Sequence, residues 1–300
     1  MEYDFVPIPE RQPLRWPDNK RLALILTTNL EHWDKVKDTD QVVYPGGPGI
    51  VGGTLAGRIY DNPNYTWREY GQRVGVWRMF EAFEKAGVPT SCTMNAKTGL
   101  ERRPIIDHAV SRNYEIVAHN FEQSELLTDF QDDEDAERKV IRETLRVYRE
   151  TVGRDAKGWL SSSLRCTPNT VDIIAEEGLI FTCDLLNDDQ PYLVRTRSGK
   201  TIVSIPYTSE VNDFTVFMRQ GKDVDGGFAV FREQFDQLYR ESAVSGRHMN
   251  VGLHPHVIGQ PFRIRALTMF LDYVRQFDDV WFTTREEIAE WYLENHASHI

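Results

Sequence analysis

The sequence has few cysteines and no long apolar run, and both shortages restrict what kind of protein it can be. Its three cysteines, Cys92, Cys166 and Cys183, are widely spaced and form no CxxC pair, so neither a disulfide framework nor a cysteine zinc site is predicted. We expect them to be small buried hydrophobic side chains. No apolar run approaches the roughly 20 residues that span a bilayer, and the first residues do not have the pattern of a signal peptide. We therefore expect a cytoplasmic protein without a membrane partner.

Basic residues are in the minority. The chain has 35 Lys and Arg against 46 Asp and Glu, a net charge of −11, which would repel a phosphate backbone over most of the surface. We expect no nucleic-acid partner. Apolar residues are in good supply, because 40% of the 300 residues are hydrophobic, with 7 Trp, 12 Tyr and 15 Phe. This is enough for one large core.

Strand-like and helix-like segments alternate along the chain. Strands are predicted at 21–30, 88–95, 114–119, 158–162, 179–184, 201–206, 249–254 and 280–283. Strict alternation favours a parallel sheet. We predict an α/β fold, a single and distorted (β/α) barrel with seven to eight parallel strands, in preference to an open doubly wound sheet. Residues 1–20 would form an N-terminal arm, 21–293 the barrel domain and 294–300 a polar tail, in which His296 and His299 are expected to be disordered.

Polar side chains follow most of these strands at the point where the strand ends. They are Glu31, His32, Asn95, His119, Ser161, Ser162, Ser163, Asp184, Tyr207, His254 and His256. The C-terminal ends of parallel barrel strands meet on one face, where the active site is built. A site of Glu, Asp and His suits acid–base hydrolysis, with or without a metal.

Several segments resemble one known family. The runs TTNLEHW, YEIVAHNFEQSELL, CDLLNDDQPY, SIPYTSEVND and GLHPHVIGQPFRIRAL are similar to the NodB, or polysaccharide-deacetylase-like, superfamily. The resemblance is closest to its branch of allantoinases and cyclic-imide hydrolases, and it extends from about Arg21 to Trp291. It implies a NodB-like barrel and a hydrolase of carbon–nitrogen bonds other than peptide bonds.

The resemblance also implies roles for individual residues. Glu31 matches the general base at the end of the first strand, and His254, in the Leu253-His254 pair, matches the acid that protonates the leaving nitrogen. Arg165 is the candidate for the arginine of the third motif, although the SSSLRC around it departs from the pattern. With Arg165, we expect Asp184, Asp188 and His256 to contact the substrate.

The resemblance leaves the cofactor open. In the family, an acid beside the base and two histidines four residues apart bind a metal, whereas this chain has His32 in the place of the acid and His119 followed by Gln123. A pair of His32 and His119 with Glu31 or His256 could still hold zinc or another divalent metal. Glutamine is a poor zinc ligand, and metal-independent catalysis is the alternative.

Long loops on the active face favour a small-molecule substrate in an enclosed pocket. The aromatic-rich segments 33–67, 188–192 and 255–262 would crowd that face; the alternative is that they form subunit contacts, and we expect a homo-oligomer, either a dimer or a tetramer. The glycine-rich run from Gly46 to Gly53 has no GK[ST] after it, so a lid or contact loop is favoured over a phosphate loop. An amide, imide or ureide hydrolase is the leading hypothesis. A carbohydrate N-deacetylase and an inactive ligand-binding barrel are the alternatives.

Overall fold

The computed structural model describes residues 2–33 and 62–299, and its central feature is one curled sheet. The strands are β1 (Leu22–Leu30), β2 (Ser91–Met94), β3 (Glu115–Ala118), β4 (Gly158–Trp159), β5 (Phe181–Thr182), β6 (Tyr192–Arg195), β7 (Thr201–Ser204), β8 (Arg247–Leu253) and β9 (Val280–Phe282). They are ordered β6-β7-β5-β4-β3-β2-β1-β8, and β9 pairs with β1. All described strands run parallel except β6, which is antiparallel to β7. The predicted distorted (β/α) barrel with seven to eight parallel strands is confirmed.

Strand β1 lies between β2 and β8 in the sheet, and all nine of its residues are buried. One of its edges pairs with β8 from Leu22 to Thr28. The other edge is shared, by β9 at the start of the strand and by β2 at its end. Leu24 packs among the helices outside the curl, whereas Ile25 packs into a second cluster inside it. Burial of both faces accounts for the continuous apolar run in the sequence.

Helices surround the sheet, as the alternation predicted. Those in the described residues are α1 (Asn62–Tyr70), α2 (Val76–Ala86), α3 (Ala96–Glu101), α4 (Arg103–Ser111), α5 (Glu134–Val152), α6 (Thr170–Glu176), α7 (Val224–Glu241), α8 (Ile264–Val274) and α9 (Arg285–Asn295). Two π-helical turns, Gly71–Gly75 and Phe214–Arg219, accompany them. The capping box of Thr284 and Glu287 at the start of α9 is present.

The structure differs from the predicted elements at three places. Residues 62–70 are helical, where an irregular segment was expected. Strand β6 was not predicted, because it lies inside a loop rich in polar and turn residues. Strands β4 and β5 have only two residues each, Gly158–Trp159 and Phe181–Thr182, and are shorter than the predicted 158–162 and 179–184. The glycine-rich run lies outside the described residues.

Both ends of the chain pack onto the barrel. Leu14 and Trp16 from the N-terminal arm are buried in the inner cluster, which also contains Tyr292 of α9. His299 is buried and bonds to Tyr292 and to Gln190. The expected disorder of this histidine is therefore wrong, because its ring has polar partners inside the fold. In the described part of the chain, no helix is both long enough and apolar enough to cross a membrane.

Candidate active site

A cleft of about 340 Å³ opens at the C-terminal ends of the parallel strands. Its polar lining includes Glu31, His119, Gln123, Ser161, Tyr207, His254 and His256. These residues come from the ends of β1, β3, β4, β7 and β8 or from the loops that follow them. The structure thus brings Glu31, His119 and His254 together, as their positions after strands predicted.

Glu31 and His254 form an ion pair at the floor of this cleft. His254 Nε2 lies 3.3 Å from Glu31 Oε1, and the two side chains are only 11% and 8% exposed. The other carboxylate oxygen, Oε2, accepts a hydrogen bond from Trp33 Nε1 at 3.1 Å. An anionic carboxylate and a cationic imidazole therefore lie side by side where a substrate could enter.

Asp213 holds the far side of the His254 ring. Its Oδ1 lies 2.6 Å from His254 Nδ1, and its Oδ2 accepts hydrogen bonds from the backbone N–H groups of His254 and Ile258. The side chain is fully buried. This residue was not predicted from the sequence, because it sits in the loop after β7 and not at a strand end. A histidine proposed as an acid needs an acceptor that orients its second nitrogen. That requirement could have directed attention to a carboxylate such as Asp213 in the sequence.

Charge interactions set the protonation states of the pair. Burial alone would raise the pKa of Glu31, but the charge and hydrogen bond of His254 outweigh it and lower the pKa to about 2. Burial alone would lower the pKa of His254, but Asp213 and Glu31 raise it to about 10. Near neutral pH the carboxylate is ionised and the imidazole carries its proton. These are the forms required of a general base and a general acid.

His119 and His256 are the other two histidines of the cleft. His119 Nδ1 donates to the carbonyl of Leu160 at 2.5 Å, which leaves Nε2 as a hydrogen-bond acceptor. His256 packs at right angles to Trp67, with 4.6 Å between ring centroids. Burial first, and then the charge of Arg68, hold the pKa of His256 well below its ordinary value. Both imidazoles are therefore neutral.

Trp33, from a segment predicted to crowd the active face, lines the cleft, whereas the cation stacked on it was not predicted. The guanidinium of Arg68, on α1, stacks over the ring of Trp33 at 3.4 Å from the ring centroid. Both side chains line the cleft, as does Phe214. Arg68 fell in the segment expected to be irregular, so no helix signal directed it to the site.

Comparisons with known proteins agree with this geometry. No family model matches the chain. The crystal structure of PuuE allantoinase has 30% sequence identity and a TM-score of 0.83, over 94% of this chain and 93% of that one. The chain belongs to the polysaccharide deacetylase superfamily.

Two further relatives support the same placement. A probable polysaccharide deacetylase from Pseudomonas aeruginosa PAO1 is 30% identical, with a TM-score of 0.83, over 94% of both chains. A Schizosaccharomyces pombe protein (strain 972 / ATCC 24843), whose name places it among the polysaccharide deacetylases, is 26% identical over 310 residues, 94% of this chain and 93% of its own. This member of the superfamily is accordingly a hydrolase of carbon–nitrogen bonds other than peptide bonds.

In this member of the superfamily, the described residues do not provide a ligand set that fits a zinc ion. The ring of His32 does not line the cleft; its Nε2 lies 3.1 Å from Glu101 Oε2. The amide oxygen of Gln123 accepts a hydrogen bond from Ser162 Oγ at 3.1 Å. Of the three positions that match the family's metal ligands, only His119 is then left as a ligand. Within residues 2–33 and 62–299 no three His, Cys, Asp or Glu side chains are grouped to hold a metal, whereas a catalytic zinc takes three protein ligands. The expected ligand pair of His32 and His119 is thus not formed by these residues.

Of the four residues expected to contact the substrate, the structure places some at the cleft and others away from it. His256 lines the cleft, and Asp184 lies directly behind it, accepting hydrogen bonds from the N–H and Oγ of Ser161 at 2.6 and 2.7 Å. Burial raises the pKa of Asp184 to about 6. Arg165 is exposed and does not line the cleft. Asp188 is also away from it, in a two-point ion pair with Arg11 of the N-terminal arm. The expectation that Arg165 and Asp188 contact the substrate is therefore wrong. Arg165 follows a surface turn, and Asp188 binds the N-terminal arm.

Proposed function

We propose that this protein hydrolyses an amide, imide or ureide bond of a small molecule by general acid–base catalysis, with Glu31 as the base and His254 as the acid. The observation that carries the proposal is the ion pair of Glu31 with His254 in the cleft, with Asp213 bonded to the other nitrogen of the His254 ring. An ionised base beside a protonated acid is an arrangement suited to adding water to a carbonyl and releasing an amine.

The proposed reaction uses these two groups in turn. Glu31 takes a proton from a water molecule as the water oxygen attacks the carbonyl carbon, which gives a tetrahedral intermediate. His254 then donates its Nε2 proton to the nitrogen as the C–N bond breaks. The proton on Glu31 returns to His254, and the carboxylic acid and amine leave. Asp213 holds the ring in place and stabilises its positive charge throughout.

No step of this mechanism passes through a metal, because the described donor set does not fit one. If a group from elsewhere completed a metal site, its chemistry would be to polarise the carbonyl or to acidify water. The neutral His119, which lines the cleft and whose Nδ1 is bonded to Leu160, can instead accept a hydrogen bond at Nε2 from an N–H of the substrate or from the attacking water.

The size and walls of the cleft support a small substrate. A volume of about 340 Å³ is at the lower end of the range typical of small-molecule pockets. The stacked Trp33 and Arg68 form a flat wall suited to a planar amide or ureide group. One of the relatives is an allantoinase, whereas others are named as polysaccharide deacetylases, so N-deacetylation of a carbohydrate is the second candidate.

A substrate panel tests the proposal. Purified protein is incubated with allantoin, hydantoin and succinimide, and in parallel with chitin oligomers and peptidoglycan fragments, with Glu31→Gln as the matched control. We expect hydrolysis of at least one small cyclic compound and its loss in the control. Activity confined to the oligomers would establish the deacetylase instead, and no difference between the two proteins on any compound would favour the inactive barrel.

Assembly and location remain predictions. We propose a homo-oligomer, either a dimer or a tetramer, in the cytoplasm. Light scattering on the purified protein measures the first, and fractionation of the source cells the second.

A further inference from the structure

The π-helical turn Gly71–Gly75 touches the strand ends of both proposed catalytic groups. It joins α1 to α2, so that residues 62–86 form one continuous helical segment with a wider turn in its middle. Single π-helical turns inside α-helices are frequent at functional sites. Here the turn lies between the residues after β1 and the residues after β8.

Gln72 connects this turn to the base. Its Nε2 donates to the backbone carbonyl of Glu31 at 2.5 Å. Its Oε1 accepts from Nε of Arg102 at 2.8 Å, at the junction of α3 and α4. The amide is therefore held at both ends, and Glu31 is the residue whose main chain it fixes.

Two glycines bring the same turn against the segment after the acid. A Cβ on Gly71 would lie 2.5 Å from the backbone nitrogen of His256, and one on Gly75 would lie 2.0 Å from the carbonyl oxygen of Pro255. Only glycine permits such close contact between backbones. The turn is consequently packed directly on the two residues that follow His254.

Pairing between β1 and β8 does not reach the proposed base. The ladder between β1 and β8 ends at the pair of Thr28 and Leu253, three residues before Glu31. Beyond that point, the turn makes a contact with each strand end. Misplacement of a reacting group by about 1 Å can reduce the rate about 100-fold, so these contacts matter for turnover.

We infer that Gln72 is a positioning residue, whose amide holds the Glu31 main chain in register with His254 through the Gly71–Gly75 turn. This inference rests on the proposed function for its effect on turnover, but not for its effect on the geometry of the pair. When the amide is lost, Glu31 moves away from His254, and the imidazole loses part of the negative charge that holds its proton.

Three variants separate positioning from stability. Gln72→Leu removes the amide, and Gln72→Glu keeps an acceptor for Arg102 but presents no donor to Glu31. The matched control is Gln190→Leu, because Gln190 also donates to a backbone carbonyl, that of Gly246 at 2.6 Å, and is more deeply buried, yet it lies outside the cleft.

The readouts are thermal unfolding, NMR titration of the His254 ring without substrate, and kcat and KM. For both Gln72 variants we expect kcat to fall about 10- to 100-fold with KM within about threefold, and the pKa of His254 to fall by about one unit. Gln190→Leu should lower the melting temperature and leave the titration and kcat as in the wild type.

The outcomes distinguish the two claims. A wild-type titration and kcat in Gln72→Leu would overturn the positioning role, as would an equal change in Gln190→Leu. If the wild type hydrolyses none of the carbon–nitrogen substrates, the proposed function fails, while the NMR comparison still decides the inference: a lower His254 pKa supports it and an unchanged one refutes it.

Discussion

Two buried ionic clusters lie near opposite ends of neighbouring strands of the sheet. At the C-terminal ends, Glu31 and His254 line a cleft. At the N-terminal ends of β2 and β3, Glu115 and Arg285 are enclosed by the sheet and the start of α9. Both clusters remove charge from water, which is costly unless each group is paired. They differ in how completely the protein satisfies them.

The charged groups of the cluster at Arg285 are saturated by neighbouring protein groups, although the buried Nδ2 of Asn250 has no hydrogen-bond partner among the described residues. Its guanidinium donates to Ser91 Oγ, Thr27 Oγ1 and Asn250 Oδ1 at 2.6–2.7 Å. Glu115 accepts from the N–H groups of Arg285 and of the next residue, at 3.0 and 2.6 Å. No lining residue of the cleft belongs to this set. The charges of this cluster are used within the fold, away from the cleft.

The cluster at Glu31 has hydrogen-bonding groups that the protein itself does not fully satisfy. His254 Nε2 has a contact of 3.3 Å with Glu31, longer than the usual 2.7–2.9 Å of charge-assisted hydrogen bonds. His256 Nε2, beside it, is buried with no hydrogen-bond partner in the described structure. Burial and charge are thus shared by both clusters, and the incomplete satisfaction beside a cleft is what marks the functional one.

The largest expected effect is on turnover, from Glu31→Gln. The substitution keeps the shape of the side chain and removes the base, so kcat should fall by about 10²–10⁴. His254→Gln should do the same and remain folded, because Asp213 keeps its two backbone N–H donors. Steady-state kinetics and circular dichroism check both variants. A kcat within a factor of two of the wild type would remove that residue from the mechanism.

Arg285→Met should produce the opposite result. It leaves Glu115 buried without its cation, which typically costs about 3–5 kcal/mol of unfolding free energy, but the cleft is untouched. We expect a large loss of stability in urea titrations and a normal kcat per folded molecule. Adding Glu115→Gln should restore part of the stability. A fall in kcat without a fall in stability would mean that the two clusters are not as separate as the geometry indicates.

Asp213→Asn should have a smaller effect on turnover than loss of the acid itself. The amide can still accept from the backbone, but it no longer supplies negative charge, so the pKa of His254 should fall toward its ordinary value. We expect kcat/KM to drop about 10- to 100-fold at neutral pH, in line with the cost of losing an orienting partner, and its alkaline limb to move to lower pH. An unchanged alkaline limb would contradict the role of Asp213.

The sequence predicted what depends on strand periodicity and could not predict what depends on loop packing. Glu31, His119 and His254 follow strands, so their convergence was predictable. Asp213 and Arg68 reach the cleft from a loop and a helix whose placement depends on tertiary contacts. His32 shows the same limit in reverse, because it follows β1 directly, yet its ring turns away toward Glu101. A strand end fixes where the main chain arrives, whereas side-chain direction is decided by the partners available.

The most gradual expected effect is the pH dependence of stability. Folding raises the pKa of His254 from 6.5 to about 10, so its stabilising contribution is fully present below pH 6.5 and is lost as the pH rises toward 10. Folding lowers the pKa of Glu31 from 4.5 to about 2, so its contribution is present above pH 4.5 and is lost as the pH falls toward 2. Relative to His254→Gln, the wild type should lose at most about 1.4 kcal/mol of unfolding free energy per pH unit between 6.5 and 10. Urea titrations at pH 6, 7.5 and 9 measure this difference. A constant difference across the three would show that His254 does not carry a stabilised charge in the folded protein, and the contrast with the saturated cluster would then rest on geometry alone.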